Sequence, residues 1–177
     1  MLQLAAVFSD HMVLQREKNI VVFGIGEVGA IITVSIPERK LYASTTVKED
    51  GSWRLQFPPQ PAGTGLSLFA KDSHTEIHFQ DVAIGEVWLA GGQSNMEWSA
   101  NHGIKNGDEE TANAHCPNLR IFHVARIAAP FPQENCFSQW TQCTPETMRS
   151  TSALAYFFGR NIQEELDVPV GIIVAAW

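Results

Sequence analysis

Gly85-Glu-Val-Trp-Leu-Ala-Gly-Gly-Gln-Ser-Asn-Met-Glu-Trp98 decides how the chain is read. An apolar run from Val87 to Ala90 stops at Gly91-Gly92, and Ser94 follows. A strand ending in two glycines can turn sharply, because glycine tolerates backbone angles that other residues avoid. Ser94 is then expected at the C-terminal end of a strand, where ligand sites of open α/β sheets lie. An isolated Gly-x-Ser would favour a plainer reading, a Gly-rich turn with a Ser-Asn helix cap. The full string Gly92-Gln93-Ser94-Asn95-Met96 is much less generic.

N-terminal to this stretch the pattern is β. Ile32, Val34 and Ile36 alternate with Thr33 and Ser35, and Trp53, Leu55 and Phe57 alternate with Ser52, Arg54 and Gln56 after a turn at Glu49-Asp50-Gly51. Ile20–Ile25, Leu41–Lys48, Leu66–Ala70 and Ile77–Phe79 read as further short strands. Such spacing predicts an all-β, sandwich-like domain over residues 1–82.

From residue 83 to 177 the rhythm becomes strand–helix–strand, which predicts an α/β layer. Glu86–Ala90 is more continuously apolar than the strands before it, as expected of a strand covered on both faces. Residues 99–118 read as a polar loop or weak helix, Leu119–Val124 as a strand, and 128–144 as irregular. The clearest helix is Ala153–Leu166, capped from Ser150-Thr151-Ser152, with Leu154, Phe157, Phe158, Ile162 and Leu166 as its apolar stripe. Val170–Ala176 follows as a buried strand. A stop at Trp177, directly after it, predicts a fragment or truncated product with an open apolar sheet edge that invites self-association.

Composition fits a globular protein: 177 residues are 45% hydrophobic and the formal net charge is −7. An acidic balance argues against nucleic-acid or anionic-membrane partners, and against anionic sugars except through a local Arg or Lys. No segment is long enough for a transmembrane helix. Met1–Phe8 lacks the basic region and apolar length of a secretory signal. The expectation is a cytoplasmic protein, or a secreted or periplasmic one whose sequence starts at the mature end. Cys116, Cys136 and Cys143 read as buried free thiols, with a Cys136–Cys143 bridge as the alternative.

Gly92-Gln93-Ser94-Asn95-Met96 resembles the first sequence block of the SGNH hydrolase superfamily, in the form found in the sialate O-acetylesterase family. Val7–Glu17, Ser152–Arg160 and Val168–Ile172 resemble that family's opening segment, a later helix and a strand, so that the whole chain aligns with its earlier portion. The resemblance implies an incomplete SGNH-hydrolase-like parallel sheet with helices behind the sandwich, and a carbohydrate O-acetylesterase acting on acetylated sialic acid. Ser94 is the implied nucleophile, its own N–H an oxyanion donor, with Gln93 and Asn95 in support. In the family a histidine of a distant Asp-x-x-His motif is the base. No Asp-x-x-His occurs here, so the chain is expected to hold the nucleophile without its activator, partnered by a missing C-terminal part. An acetylxylan-type esterase and a non-catalytic carbohydrate-binding module are the competing readings.

Trp98 could stack on a sugar face, although wall or core is the commoner role for a tryptophan beside a site. His102 could line the pocket; the remaining histidines, His123 and His11 among them, read as surface, loop or packing residues. Asp10, Arg16 and Glu17 are expected to stitch the layers together. Gly24-x-Gly26-x-x-Gly29 matches a dinucleotide fingerprint only on paper, because β-type sequence follows it. No metal and no cofactor are expected.

Overall fold

The computed structural model describes residues 1–133 and 135–177. In chain order its elements are β1 (Gln3–Leu4), β2 (Val13–Gln15), β3 (Ile20–Ile25), β4 (Ile31–Ile36), β5 (Leu41–Thr46), β6 (Ser52–Phe57), β7 (Gly63–Lys71) and β8 (Glu76–Gly92). There follow α1 (Ser94–Glu97), α2 (Gly107–Ala112), β9 (Cys116–His123), β10 (Trp140–Cys143), α3 (Pro145–Ser150), α4 (Ala153–Leu166) and β11 (Val170–Ala176).

Alternating apolar residues build the first part as expected. Ile32, Val34 and Ile36 of β4 are fully buried. They share one core with Ile20 and Val22 of β3 and with Trp53, Leu55 and Phe57 of β6. An antiparallel sheet in the order β1-β3-β6 thus packs on β7, β4 and β5 as a β-sandwich. Gly51, at a φ of 80°, makes the turn into β6, and Asp50 Oδ1 accepts from the Ser52 amide at 2.8 Å.

Strand β8 joins the two parts. Over 17 residues it pairs antiparallel with β7 from Glu76 to Ile84, parallel with β2 at Ala83–Gly85, and parallel with β11 from Glu86 to Gly92. Residues 82 and 83, where the sequence pattern changes, lie inside this strand at the point where its partners change. Gly85 sits there because a Cβ would overlap the carbonyl of Pro169 at the entrance to β11. The second sheet has the order β10-β9-β11-β8, with β9, β11 and β8 parallel and β10 an antiparallel edge.

Four expectations change here. The segment 128–144 was expected to be irregular, yet its end forms β10, whose Trp140 is buried against Phe122. Helix α4 buries only part of its predicted stripe: Phe157 and Ile162 pack against the core, Leu154, Phe158 and Leu166 are exposed, and Ala155, Tyr156 and Gly159 face the sheet. The reason is distance. A Cβ on Gly159 would lie 2.6 Å from Leu119 Cδ1, so only small residues let the helix approach this closely. The stretch Glu86–Ala90 is not covered on both faces either, for Leu89 is 70% exposed and Trp88, edge-on to Phe158, is 44% exposed. Finally, β11 is not an edge: it lies between β9 and β8, and beyond Val87 the other side of β8 has no strand partner among the described residues.

A buried polar hub locks the layers together. Arg120 of β9, 2% exposed, donates to Asp81 Oδ1 at 3.0 Å, to the Asp81 carbonyl, and to the His11 carbonyl at 3.2 Å. Asp81 Oδ2 meets His11 Nδ1 at 2.7 Å and accepts from Gln142 Nε2 at 2.8 Å. Desolvation alone would raise the Asp81 pKa, but His11, Arg120 and Gln142 outweigh it and hold the carboxyl below its usual value. Asp10 caps the Gln80 amide, and Arg16 pairs with Glu86 at 2.7 Å rather than with Glu17, so two of the three expected stitches run from the opening segment to β8.

Candidate active site

The three parallel strands β8, β9 and β11 all end on one side of the sheet, and Ser94 lies there, two residues beyond the end of β8. It is solvent-exposed and opens helix α1, with Gln93 at the cap. The glycines before it do not act as the sequence suggested. Gly91 and Gly92 remain in extended β8, neither with a positive φ, and the chain turns at Gln93, at φ −115° and ψ −152°. Gly92 is closely packed, since a Cβ there would lie 3.0 Å from Met96 Cβ. The Gln93 carbonyl accepts from the Met96 and Glu97 amides at 2.9 and 3.1 Å, and the Gly92 carbonyl accepts from the Trp177 amide at 3.1 Å.

Beside this turn is a hollow lined by Glu97, His102, His123, Arg126, Ser152 and the end of β11 at Ala176. Ser94, Gln93 and Asn95 do not line it; all three are exposed, within one helical turn of Glu97, which does. Trp98 is 47% exposed, and its Nε1 donates to the Gly103 carbonyl at 3.1 Å. Its ring packs on His102 with centroids 5.4 Å apart. His102 Nδ1 accepts from the Ser99 amide at 3.2 Å and lies 3.0 Å from Ser99 Oγ. An acceptor Nδ1 leaves the proton on Nε2, so this histidine caps its own loop while its edge faces the hollow.

Two lining side chains were not anticipated. His123, read as a surface histidine, ends β9, and its Nε2 lies 3.4 Å from Thr151 Oγ1. It is reachable from solvent, yet crowding by protein pushes its pKa below the ordinary histidine value. Its position at the C-terminal end of a predicted strand was the signal available in the sequence. Arg126 forms an ion pair with Glu97 and is 51% exposed. No pattern in the irregular segment around it points to the site.

His11 and Asp81 form a histidine–carboxylate pair, but not for Ser94. Asp81 and Gly92 lie on the same strand, roughly 35 Å apart at the usual rise per residue. Among the described residues no cluster of His, Cys, Asp and Glu suits a metal ion, and no helix is long and apolar enough to cross a membrane.

Comparison with known proteins decides the relationship. Over 99% of its length the chain is 31% identical to human sialate O-acetylesterase and 27% identical to the mouse protein. The chain is a homologue of the N-terminal portion of the sialate O-acetylesterases. It spans 37% of the human relative and 36% of the mouse one. Its structure superposes on a carbohydrate acetylesterase from Xanthomonas citri with a TM-score of 0.93 at 31% identity, covering 99% of this chain and 40% of that one. Residues 10–77 match the bacterial Ig domain family, in agreement with the sandwich.

Proposed function

We propose that this chain is the sandwich and nucleophile-bearing part of a carbohydrate O-acetylesterase, with residues 1–82 as the sandwich and 83–177 as the first part of an SGNH-type α/β domain. Ser94 is the nucleophile in this reading. The observation that carries it is the exposed Ser94 hydroxyl on the turn that leaves β8, at the strand ends where α/β enzymes place their sites. Its oxygen attacks the acetyl carbonyl, its proton passes to a base, and the sugar hydroxyl leaves; water then hydrolyses the acetyl-serine. The Ser94 amide, in the first turn of α1 and without an intrahelical acceptor, is one donor for the oxyanion. Gln93 and Asn95 frame it.

In this reading the base is none of the chain's neighbouring histidines. His102 Nδ1 is engaged by Ser99, His123 Nε2 lies against Thr151, and His11 belongs to the distant Asp81 hub. A serine without a base is a poor nucleophile, so the 177 residues alone turn over little. Arg126 supports an acidic sugar, the sialate reading, over a neutral one. Glu97 engages one of its five donors, which leaves others for a substrate carboxylate. Trp98 offers its exposed face beside them.

Hydrolysis of an acetylated chromogenic ester tests the proposal, using this chain, a full-length esterase carrying it, and Ser94→Ala in each. The expected result is Ser94-dependent turnover by the longer protein and little by the short chain. Robust Ser94-dependent hydrolysis by the short chain would reveal a base among its own residues. Hydrolysis that survives Ser94→Ala would remove Ser94 from the mechanism.

A further inference from the structure

Cys116 and Cys143 face each other across β9 and β10, at the irregular step where pairing jumps from Gln142↔Arg120 to Cys143↔Cys116. Opposed residues of an antiparallel pair have Cα atoms about 4.5–5.5 Å apart, inside the roughly 4.4–6.8 Å that a disulfide spans. The two side chains are near enough for each to shift the titration of the other. Both belong to the apolar cluster beneath α4, whereas Cys136 packs against the sandwich core. That placement separates Cys136 from Cys143 and overturns the bridge suggested by their nearness in sequence. All three are free thiols in the structure.

We propose that Cys116 and Cys143 form an oxidisable pair that closes into a cross-strand disulfide on reaction with a small-molecule disulfide of the glutathione type. Cys116 is partly accessible and reacts first. Its thiolate attacks one sulfur of oxidised glutathione, forming a mixed disulfide and expelling one glutathione thiolate. Cys143 then gives up its proton and attacks Cys116 Sγ, so that the protein disulfide forms and the second glutathione leaves. Two protein thiols are oxidised and one glutathione disulfide is reduced to two thiols. Burial, and then the neighbouring Cys116, push the Cys143 thiol up to about 12, so the second step is the slow one and quickens as pH rises. The loop that closes includes Val124–Arg126, which lines the hollow beside Ser94.

The test equilibrates the protein in buffers of reduced and oxidised glutathione, quenches with acid, alkylates free thiols and maps unreduced peptides. The expected result is a single Cys116–Cys143 linked peptide with Cys136 fully alkylated, unchanged in Cys136→Ser and absent in Cys116→Ser. Closing this loop in native geometry should raise Tm by about 5–10 °C in the wild type and not in Cys116→Ser. A link through Cys136 overturns the proposal. So does Cys116 held as a glutathione adduct at equilibrium while Cys143 stays free, or a Tm that falls on oxidation.

Discussion

Replacing Asp81 by Asn probes the hub that joins the sandwich to the parallel sheet. Asp81 adopts a φ of 51°, a conformation that Asn tolerates as readily, so the change removes charge without straining the backbone. It weakens three contacts: the Arg120 Nη2 bond at 3.0 Å, the Gln142 bond at 2.8 Å and the His11 contact at 2.7 Å. Removing one partner of a buried ion pair costs about 3–5 kcal/mol. Two facts lower that figure here. Asp81 is one-third exposed, and Arg120 keeps the carbonyls of Asp81, His11 and Pro117. A loss of about 2–3 kcal/mol is expected, or roughly 1 M in the urea midpoint for a chain of this size. The pH dependence has a definite sign. Because the folded carboxyl titrates below its unfolded value, its contribution is complete above about pH 4–5 and is lost as pH falls through the folded pKa. Urea titrations of both proteins from pH 7 to pH 3 should therefore show a full gap at neutrality that closes in acid. A gap under about 0.5 kcal/mol at pH 7, or one that widens toward acid, refutes the hub as described.

Gly85→Ala forces a Cβ onto the Pro169 carbonyl and should cost at least about 2 kcal/mol of unfolding free energy, readable in the same titration; a neutral result means that β8 and β11 separate easily. Tyr156→Ala, at 1% exposure under α4, should cost about 3–5 kcal/mol, against less than about 1.5 kcal/mol for Phe158→Ala at 42% exposure. Equal losses would restore the apolar stripe that the sequence suggested. In a full-length esterase carrying this chain, Arg126→Ala should raise KM for an acetylated sialic acid about tenfold and leave a neutral acetyl ester within about twofold. Equal effects on both substrates would remove the carboxylate from the role given to Arg126.

What the sequence made legible was whatever depends on local pattern. Alternation at Ile32, Val34 and Ile36 and at Trp53, Leu55 and Phe57 foretells the sandwich core, and Ser152 foretells the start of α4, where its side chain accepts from the Ala155 amide. What it hid depends on tertiary contact. Gly159, to which the sequence assigned no role, is a point of close approach to Leu119 and Ile172, and Leu154 and Phe158 turn outward. Gly91 and Gly92 suggested a glycine-dependent turn, but their bend is made by Gln93. His123 and Arg126 converge with Glu97 and His102 only because β9 and β8 end on the same side of the sheet, and no spacing in the chain encodes that meeting.

The covalent intermediate provides the most direct test of the central claim. A full-length esterase carrying this chain is mixed with an O-acetylated sugar, quenched in acid within its first turnovers, and digested for mass spectrometry. The account predicts one acetyl group on the peptide carrying Ser94, and on Ser94 itself, with none formed in Ser94→Ala. Acetyl on another residue, or undiminished hydrolysis by Ser94→Ala, contradicts it.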